Sequence, residues 1–333
     1  MTRFVTQALA AALATAVLAA PAAQAVEIGG PKAFAFVALG DMPYKIPEDY
    51  ARFEALIGEI NKLKPAFSVH VGDIKAGSTP CTDENILKVK GEFDLFEQPL
   101  VYTIGDNEWT DCHREKAGKF NPVERLNKLR EWFFAEPKSQ GKTKLALERF
   151  ADVFPDTKSF DGKGFVEITR FAHGGVLFVQ PHIPGSNNNF ETRSLENVQE
   201  FFARDKANNL WIEDSFAKAK KDGAGAVVIS IQADMWDIKQ TETDIPLASG
   251  FVKTLKTIEK GAKDFGKPVL VIYGDAHHLM IQPFLGTDGK PVANVTSMMV
   301  PGEKVIGAVR VVVDPDNAAM PFVFQPINET AAK

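Results

Sequence analysis

Four Gly-Asp pairs, Gly40-Asp41, Gly72-Asp73, Gly105-Asp106 and Gly274-Asp275, each close a short apolar run of this chain. Its glycine and aspartate content would give about 1.6 such pairs by chance. The runs, residues 34–39, 67–71, 100–104 and 269–273, have the length and near-continuous apolar character of buried strands. In an α/β sheet the carboxyl ends of the strands form the ligand-binding edge. The placement therefore predicts that four carboxylates from distant parts of the chain converge. Glycine before each aspartate permits a tight turn and a close approach of backbone or ligand. A single Gly-Asp pair at a strand end is ordinarily a turn residue or a helix N-cap. Four of them, with His277-His278 beside one and Asn107-Glu108 beside another, point to a site.

Converging carboxylates repel one another unless a cation lies between them. A metal ion supplies that charge, and oxygen ligands suit Mg²⁺, Mn²⁺ or Ca²⁺. His277, two residues beyond Asp275, adds a nitrogen donor and widens the choice to Zn²⁺ or Fe. With 38 Lys and Arg against 43 Asp and Glu, the formal net charge is -5. That balance carries no nucleic-acid-binding patch and no polybasic membrane patch.

Residues 1–25 open with Arg3, continue through an Ala- and Leu-rich stretch and end in Ala23-Gln24-Ala25. This is the pattern of a secretory signal peptide with cleavage after Ala25. The expected location is periplasmic or secreted, with no membrane span after cleavage. Export gives the two cysteines a meaning, since an oxidising compartment permits a Cys81–Cys112 disulfide. Such a bridge would join the stretches that follow the second and third Gly-Asp pairs.

Along the chain, the strand at 34–39 leads into a helix from Pro47, with Tyr50, Phe53, Leu56, Ile57, Ile60 and Leu63 at helical spacing. Alternating strands and helices imply parallel βαβ units. Residues 122–155 carry helical patterns and read as an inserted helical layer, at about 115–155 of a single domain spanning 26–333. A hairpin is expected around His173-Gly174-Gly175, with strands at 164–169 and 176–179. Helices follow at 194–206, 208–221 and 248–264, with strands at 226–231, 294–300, 304–313 and 320–325. His70 reads as a packed core histidine, and the four tryptophans as packing residues.

The order Asp41, Gly72-Asp73, Gly105-Asp106-Asn107-Glu108, Gln232-Ala233-Asp234 and Gly274-Asp275-Ala276-His277 resembles the five-block signature of the calcineurin-like metallophosphoesterases, a superfamily that includes the purple acid phosphatases. The resemblance spans about residues 35 to 280. It implies an α/β fold in which a β-sandwich is flanked by helices in four layers. It also implies two divalent metal ions (Mn, Mg, Ca, Fe or Zn) at the strand ends. The implied activity is hydrolysis of a small-molecule or surface phosphomonoester or phosphodiester by metal-bound hydroxide. Transferred residue by residue, the metal ligands are Asp41, Asp73 as the bridge, Asp106, Gln232, Asp275 and His277. Asn107, Glu108 and His278 are the catalytic candidates.

The chain departs from the family pattern in one direction. Pro43 stands where the first block has a histidine, Asn107 replaces the catalytic histidine, and Asp275 replaces the first histidine of the last block. Oxygen donors thereby replace nitrogen donors, which favours harder cations. Asn107 can hydrogen-bond a phosphoryl oxygen but cannot protonate a leaving group. His278, His113 and Lys75 lie near the motifs as replacement acids, and Tyr44 as a replacement ligand. The alternative function is a catalytically weakened relative that binds metal and a phosphorylated or acidic ligand without turnover.

Overall fold

A computed structural model describes residues 29–236 and 249–328. The signal-peptide pattern at 1–25 lies outside the described residues. The elements run β1 (Phe34–Leu39), α1 (Glu48–Leu63), β2 (Ser68–His70), α2 (Asp83–Phe93), β3 (Leu100–Tyr102), α3 (Pro122–Phe133), β4 (Glu148–Arg149) and α4 (Phe150–Val153). After them come β5 (Thr169–His173), β6 (Val176–Gln180), α5 (Gly185–Asn188), α6 (Leu195–Lys221), β7 (Ala226–Ser230), α7 (Val252–Phe265), β8 (Val269–Tyr273), β9 (Met280–Leu285), β10 (Pro291–Met299), β11 (Gly307–Val313) and β12 (Phe322–Asn328).

Two sheets form. One has the order β12-β11-β1-β2-β3 and the other β4-β5-β6-β7-β8-β10-β9. Side chains alternate across each strand, so a strand covered on both faces feeds two cores at once. In β1, Phe36 and Ala38 join the core between the sheets, while Val37 and Leu39 pack outward with Phe53, Leu56 and Ile57 of α1. In β8, Leu270 and Ile272 face inward, whereas Val269, Val271 and Tyr273 pack on the α6 and α7 side. The result is helix, sheet, sheet, helix: the expected α/β sandwich in four layers.

β1, β2 and β3 are parallel, and so are β6, β7 and β8. Their carboxyl ends meet at one rim. There Gly274 N–H donates to Gln232 O at 2.9 Å, and Asp41 N–H to Gly72 O at 3.0 Å.

Three local expectations shift. The strand expected at 164–169 lies at Thr169–His173, because Phe165 and Ile168 are drawn into the α6 core and buried Glu167 pairs with Arg130. The hairpin turn itself is at Gly174-Gly175, both at positive φ, as a two-residue turn between right-twisted strands requires. The helices expected at 194–206 and 208–221 form the single 27-residue α6. It runs through Asn208, whose side chain bonds the His182 backbone, and Asn209, which accepts from Thr257 and bonds back to Asp205 one turn earlier. In the segment after α3, only the four residues of α4 are helical.

The Cys81–Cys112 disulfide forms, with Cα atoms 5.7 Å apart and both residues buried. It closes a loop of sequence separation 31, for which the chain-entropy model gives about 3–4 kcal/mol. Replacing both cysteines by alanine is expected to lower the unfolding free energy by that amount in urea titrations monitored by circular dichroism. An unchanged midpoint would assign the bridge no stabilising role.

Candidate metal centre

The aspartates arrive at the rim in a conformation that few side chains tolerate. Asp41 has φ 53°, Asp73 55°, Asp275 75° and His277 66°, all in the left-handed region, where Asp is several-fold enriched over other non-glycine residues. Such angles cost of order 1–3 kcal/mol each and cluster at functional sites. The preceding glycines serve close approach. A Cβ on Gly105 would stand 2.1 Å from Asp73 Oδ1, and one on Gly274 would stand 2.3 Å from Asp41 Oδ2. Neither position can hold a side chain while those carboxylates keep their places.

Asp41, Asp73 and His277 form the tightest donor group: one ligand atom of each lies within 4.8 Å of the others. Asp41 and Asp73 are buried. Asp41 Oδ1 accepts the Asp275 N–H at 3.1 Å, while its Oδ2 is buried without a protein partner. An orphaned buried carboxylate oxygen next to a second carboxylate and an imidazole fits a divalent cation with mixed oxygen and nitrogen donors.

Tyr44 sits at the middle of this group. Its Oη donates to Asp73 Oδ2 at 2.7 Å, lies 3.2 Å from His277 Nε2 and accepts from Asn107 Nδ2 at 2.9 Å. Asn107 Nδ2 also donates to Asp73 Oδ2 at 2.6 Å. Asn107 is thus a partner of the carboxylates. Glu108 stands behind them, fully buried. Its Oε1 takes the N–H groups of Asp73 and Gly105 and the Tyr102 hydroxyl, at 3.2, 2.6 and 2.7 Å, and so fastens the two turns that carry Asp73 and Asp106.

Asp106 Oδ2 accepts from Ser186 Oγ at 2.6 Å, and its Oδ1 is buried without a partner. The Gln232 side-chain oxygen takes the Gly185 N–H. Asp275 Oδ2 takes the Asp234 N–H at 3.3 Å. His278 is exposed, with Nδ1 3.0 Å from Ala276 O, and does not join the group. His113 keeps its Nδ1 2.8 Å from Thr110 O. His70 is a core histidine, accepting the Gly72 N–H at 3.2 Å, and burial lowers it to about 3.

Burial holds the Asp41 and Asp73 carboxyls well above the usual range, and the facing carboxylates add to the rise. Burial, then Asp106, pushes Asp111 to about 8. Lys75, only 3% exposed, is lowered by burial to about 8 against the pull of Glu108, Asp111, Asp73 and Asp106.

Sequence reasoning missed Asp111, Ser186 and Arg204. Asp111 lies in the helical turn Thr110–His113; its Oδ1 is 2.8 Å from Ser186 Oγ, whose single proton it shares with Asp106, and it pairs with Arg114 at 2.5 Å. Arg204 is fully buried in α6 and donates to His182 O, Asn188 Oδ1, Asn188 O and both Glu200 oxygens. No family-model signal points to them: a mid-helix arginine and a loop serine look like surface residues.

No protein-family model matches the chain, and no curated protein matches it in sequence. Solved structures do share its fold. The chain is similar to a dimetal phosphatase from Danio rerio, with TM-score 0.51 and 11% identity over 89% of this chain and 99% of that one. GAP50, the anchor in the inner membrane complex of Plasmodium, gives 0.47 and 12% over 90% of each chain. A purple acid phosphatase from yellow lupin (Lupinus luteus) seeds gives 0.46 and 10% over 90% of this chain and 52% of that one.

Two expectations follow from the charge at the rim. Asp41, Asp73 and Asp111 bind their protons more tightly folded than unfolded, so metal-free protein loses stability as pH rises above the ordinary aspartate range, through about 8 in the case of Asp111. Chelated protein should therefore melt higher at pH 5 than at pH 8. Manganese at a hundredfold excess over Kd should add about 2.7 kcal/mol at pH 8, or roughly 4 °C in Tm for a chain of this size. The reverse pH order in differential scanning calorimetry would contradict this charge balance. Separately, Gly105→Ala should cost about 1–3 kcal/mol by overpacking and weaken manganese binding in titration calorimetry. Wild-type affinity in that variant would show that Asp73 is not held where the structure has it.

Proposed function

We propose that the chain is a divalent-metal-dependent phosphoesterase acting outside the cytoplasm on a small-molecule or surface phosphomonoester or phosphodiester. The observation that carries the reading is the meeting of Asp41, Asp73 and His277, with ligand atoms within 4.8 Å, where two parallel strand sets end. The fold shared with a dimetal phosphatase supports it. The disulfide and the N-terminal pattern support export. Among the described residues no helix is long and apolar enough to cross a membrane.

In this reading Asp41, Asp73 and His277 hold the ion, with Tyr44 against it. A bound divalent ion offers positive charge to a phosphoryl oxygen and acidifies water. The chain's residues do the rest. Glu108 fixes the turns under Asp73 and Asp106, and Asn107 and Tyr44 orient the Asp73 carboxylate. Lys75 brings a buried positive charge to the same rim.

One observation favours a second reading, a relative that holds metal and a phosphorylated or acidic ligand without turnover. Both N–H donors of the Asn107 side chain are taken, by Asp73 and Tyr44. Asparagine supplies no proton to a leaving group, and losing general acid help costs about 10²–10⁴-fold. Substrates whose leaving group departs unprotonated escape that loss.

Activity is accordingly expected with manganese on aryl phosphates in preference to alkyl phosphates, and abolished by chelation. Asp73→Asn should lower kcat/KM by about 100-fold or more. Turnover that survives both chelation and the substitution would remove the metal from the reaction. Tight phosphate binding with no turnover on either substrate class would establish the second reading.

A further inference from the structure

We infer that the centre holds one divalent ion per chain, at Asp41, Asp73 and His277, and that the Asp106 side of the rim is closed by the chain's own donors. The inference rests on the metallophosphoesterase reading and departs from the pair of ions that the resemblance implies.

A catalytic zinc-type site takes three protein donors, and magnesium is held by fewer only where waters and substrate phosphates fill its shell. Among the described residues, a single group of three carboxylate, imidazole or thiol donors has its ligand atoms within 4.8 Å of one another. Its orphaned oxygen is Asp41 Oδ2. A second ion would need Asp73 as a bridge, one oxygen to each ion. A carboxylate offers about four lone-pair sites. At Asp73, Oδ2 already takes the Tyr44 hydroxyl and an Asn107 side-chain N–H, and Oδ1 takes the Asn107 backbone N–H at 3.2 Å. What is left serves one ion.

The other would-be ligands are answered in kind. Ser186 donates to Asp106 Oδ2, the Gly185 N–H to Gln232 and the Asp234 N–H to Asp275 Oδ2. Lys75, buried, and Arg114, paired with Asp111, bring two positive charges to this side. Asp106 Oδ1 and, behind it, Glu108 Oε2 remain without a partner, but among the described residues neither belongs to a group of three such donors within 4.8 Å of one another.

The closure is built in. Ser186, Asn187, Asn188 and Asn189 have φ of 45, 51, 58 and 57°, a left-handed run that persists only where its surroundings over-determine it. Arg204 does so, binding Asn188 through both its side-chain and backbone oxygens. The same run brings the Gly185 backbone so near Asp106 that a Cβ on Gly185 would stand 3.0 Å from Oδ2. Ser186 thus places its hydroxyl on Asp106 Oδ2, the oxygen that the Gly185 backbone also crowds.

Titration of metal-free wild-type protein with manganese, by calorimetry and by metal analysis after gel filtration, should give one ion per chain. The electron paramagnetic resonance spectrum should be that of an isolated Mn²⁺. Two equivalents with an exchange-coupled spectrum would overturn the inference while leaving the phosphoesterase reading intact. No bound ion would overturn that reading itself. Asp41→Asn should weaken binding by about 100-fold, whereas Asp106→Asn and Ser186→Ala should each keep one equivalent at little-changed Kd. Loss of the ion in a folded Asp106→Asn would also overturn the inference. Should that variant not fold, the wild-type count and Ser186→Ala decide.

Discussion

Mutual repulsion among buried carboxylates is the constraint around which this structure is arranged. Asp41, Asp73, Asp106, Glu108 and Asp111 are all at least nine-tenths buried at one rim. An isolated buried carboxylate is expensive, and its neighbours make each one worse. The fold nevertheless brings them together by independent routes: three successive parallel strands deliver Asp41, Asp73 and Asp106, and β8 delivers Asp275 from the other sheet. Left-handed backbone at Asp41, Asp73 and Asp275 adds strain to charge. A native state that accumulates both has to recover the loss from packing elsewhere or from a cation.

The packing is placed to do so. The core between the sheets is dense in aromatic rings, with Phe67, Phe171 and Phe178 in contact at centroid distances of 4.9–5.0 Å, where edge and offset contacts add to apolar burial. On the rim, the disulfide couples the loop after β2 to the loop after β3, with both sulfurs 3.6–3.7 Å from Asn107 O. Glu108 ties those loops again from below. Behind them, Glu167 pairs with Arg130 at 2.6 Å and meets His182 Nδ1 at 3.2 Å. The sandwich supplies rigidity, and the rim uses it to hold charges apart at fixed distances.

The parts of this arrangement that were legible in the sequence are those carried by local pattern. Strands buried on both faces announce themselves as continuous apolar runs, and the Gly-Asp pairs mark where they end, so the convergence of Asp41, Asp73 and Asp106 at one rim could be anticipated. His277 followed from its spacing to Asp275. Residues whose role depends on tertiary contact left no such trace. Tyr44 stands apart, since its place three residues after Asp41 marks it as a replacement ligand, while its bonds to Asp73 and its approach to His277 appear only in the fold. Ser186 reaches Asp106 across a separation of 80 residues. α6 runs on through Asn208 and Asn209: the Asn208 side chain is engaged by the His182 backbone, while Asn209 accepts from Thr257 and bonds back to Asp205 within the helix. Glu108 was placed among catalytic candidates by its motif, whereas its three bonds at Oε1 make it a fastener of turns.

The departures from the histidine pattern that the sequence resembles have a consistent physical sense. A carboxylate in place of an imidazole raises negative charge at the rim, so it must be matched by more positive charge or by more hydrogen bonds. Lys75, the Arg114–Asp111 pair, Ser186 and the Gly185 amide supply both on the Asp106 side. Asn107 matches the change on the other side, because its amide donates to Asp73 and Tyr44 where an imidazole would have offered a proton to a substrate. In the proposed reading, the replacements that favour a harder cation also withdraw the proton donor. Ligand hardness and the loss of general acid are coupled through one hydrogen-bond network centred on Asp73, and neither can be changed without disturbing the other.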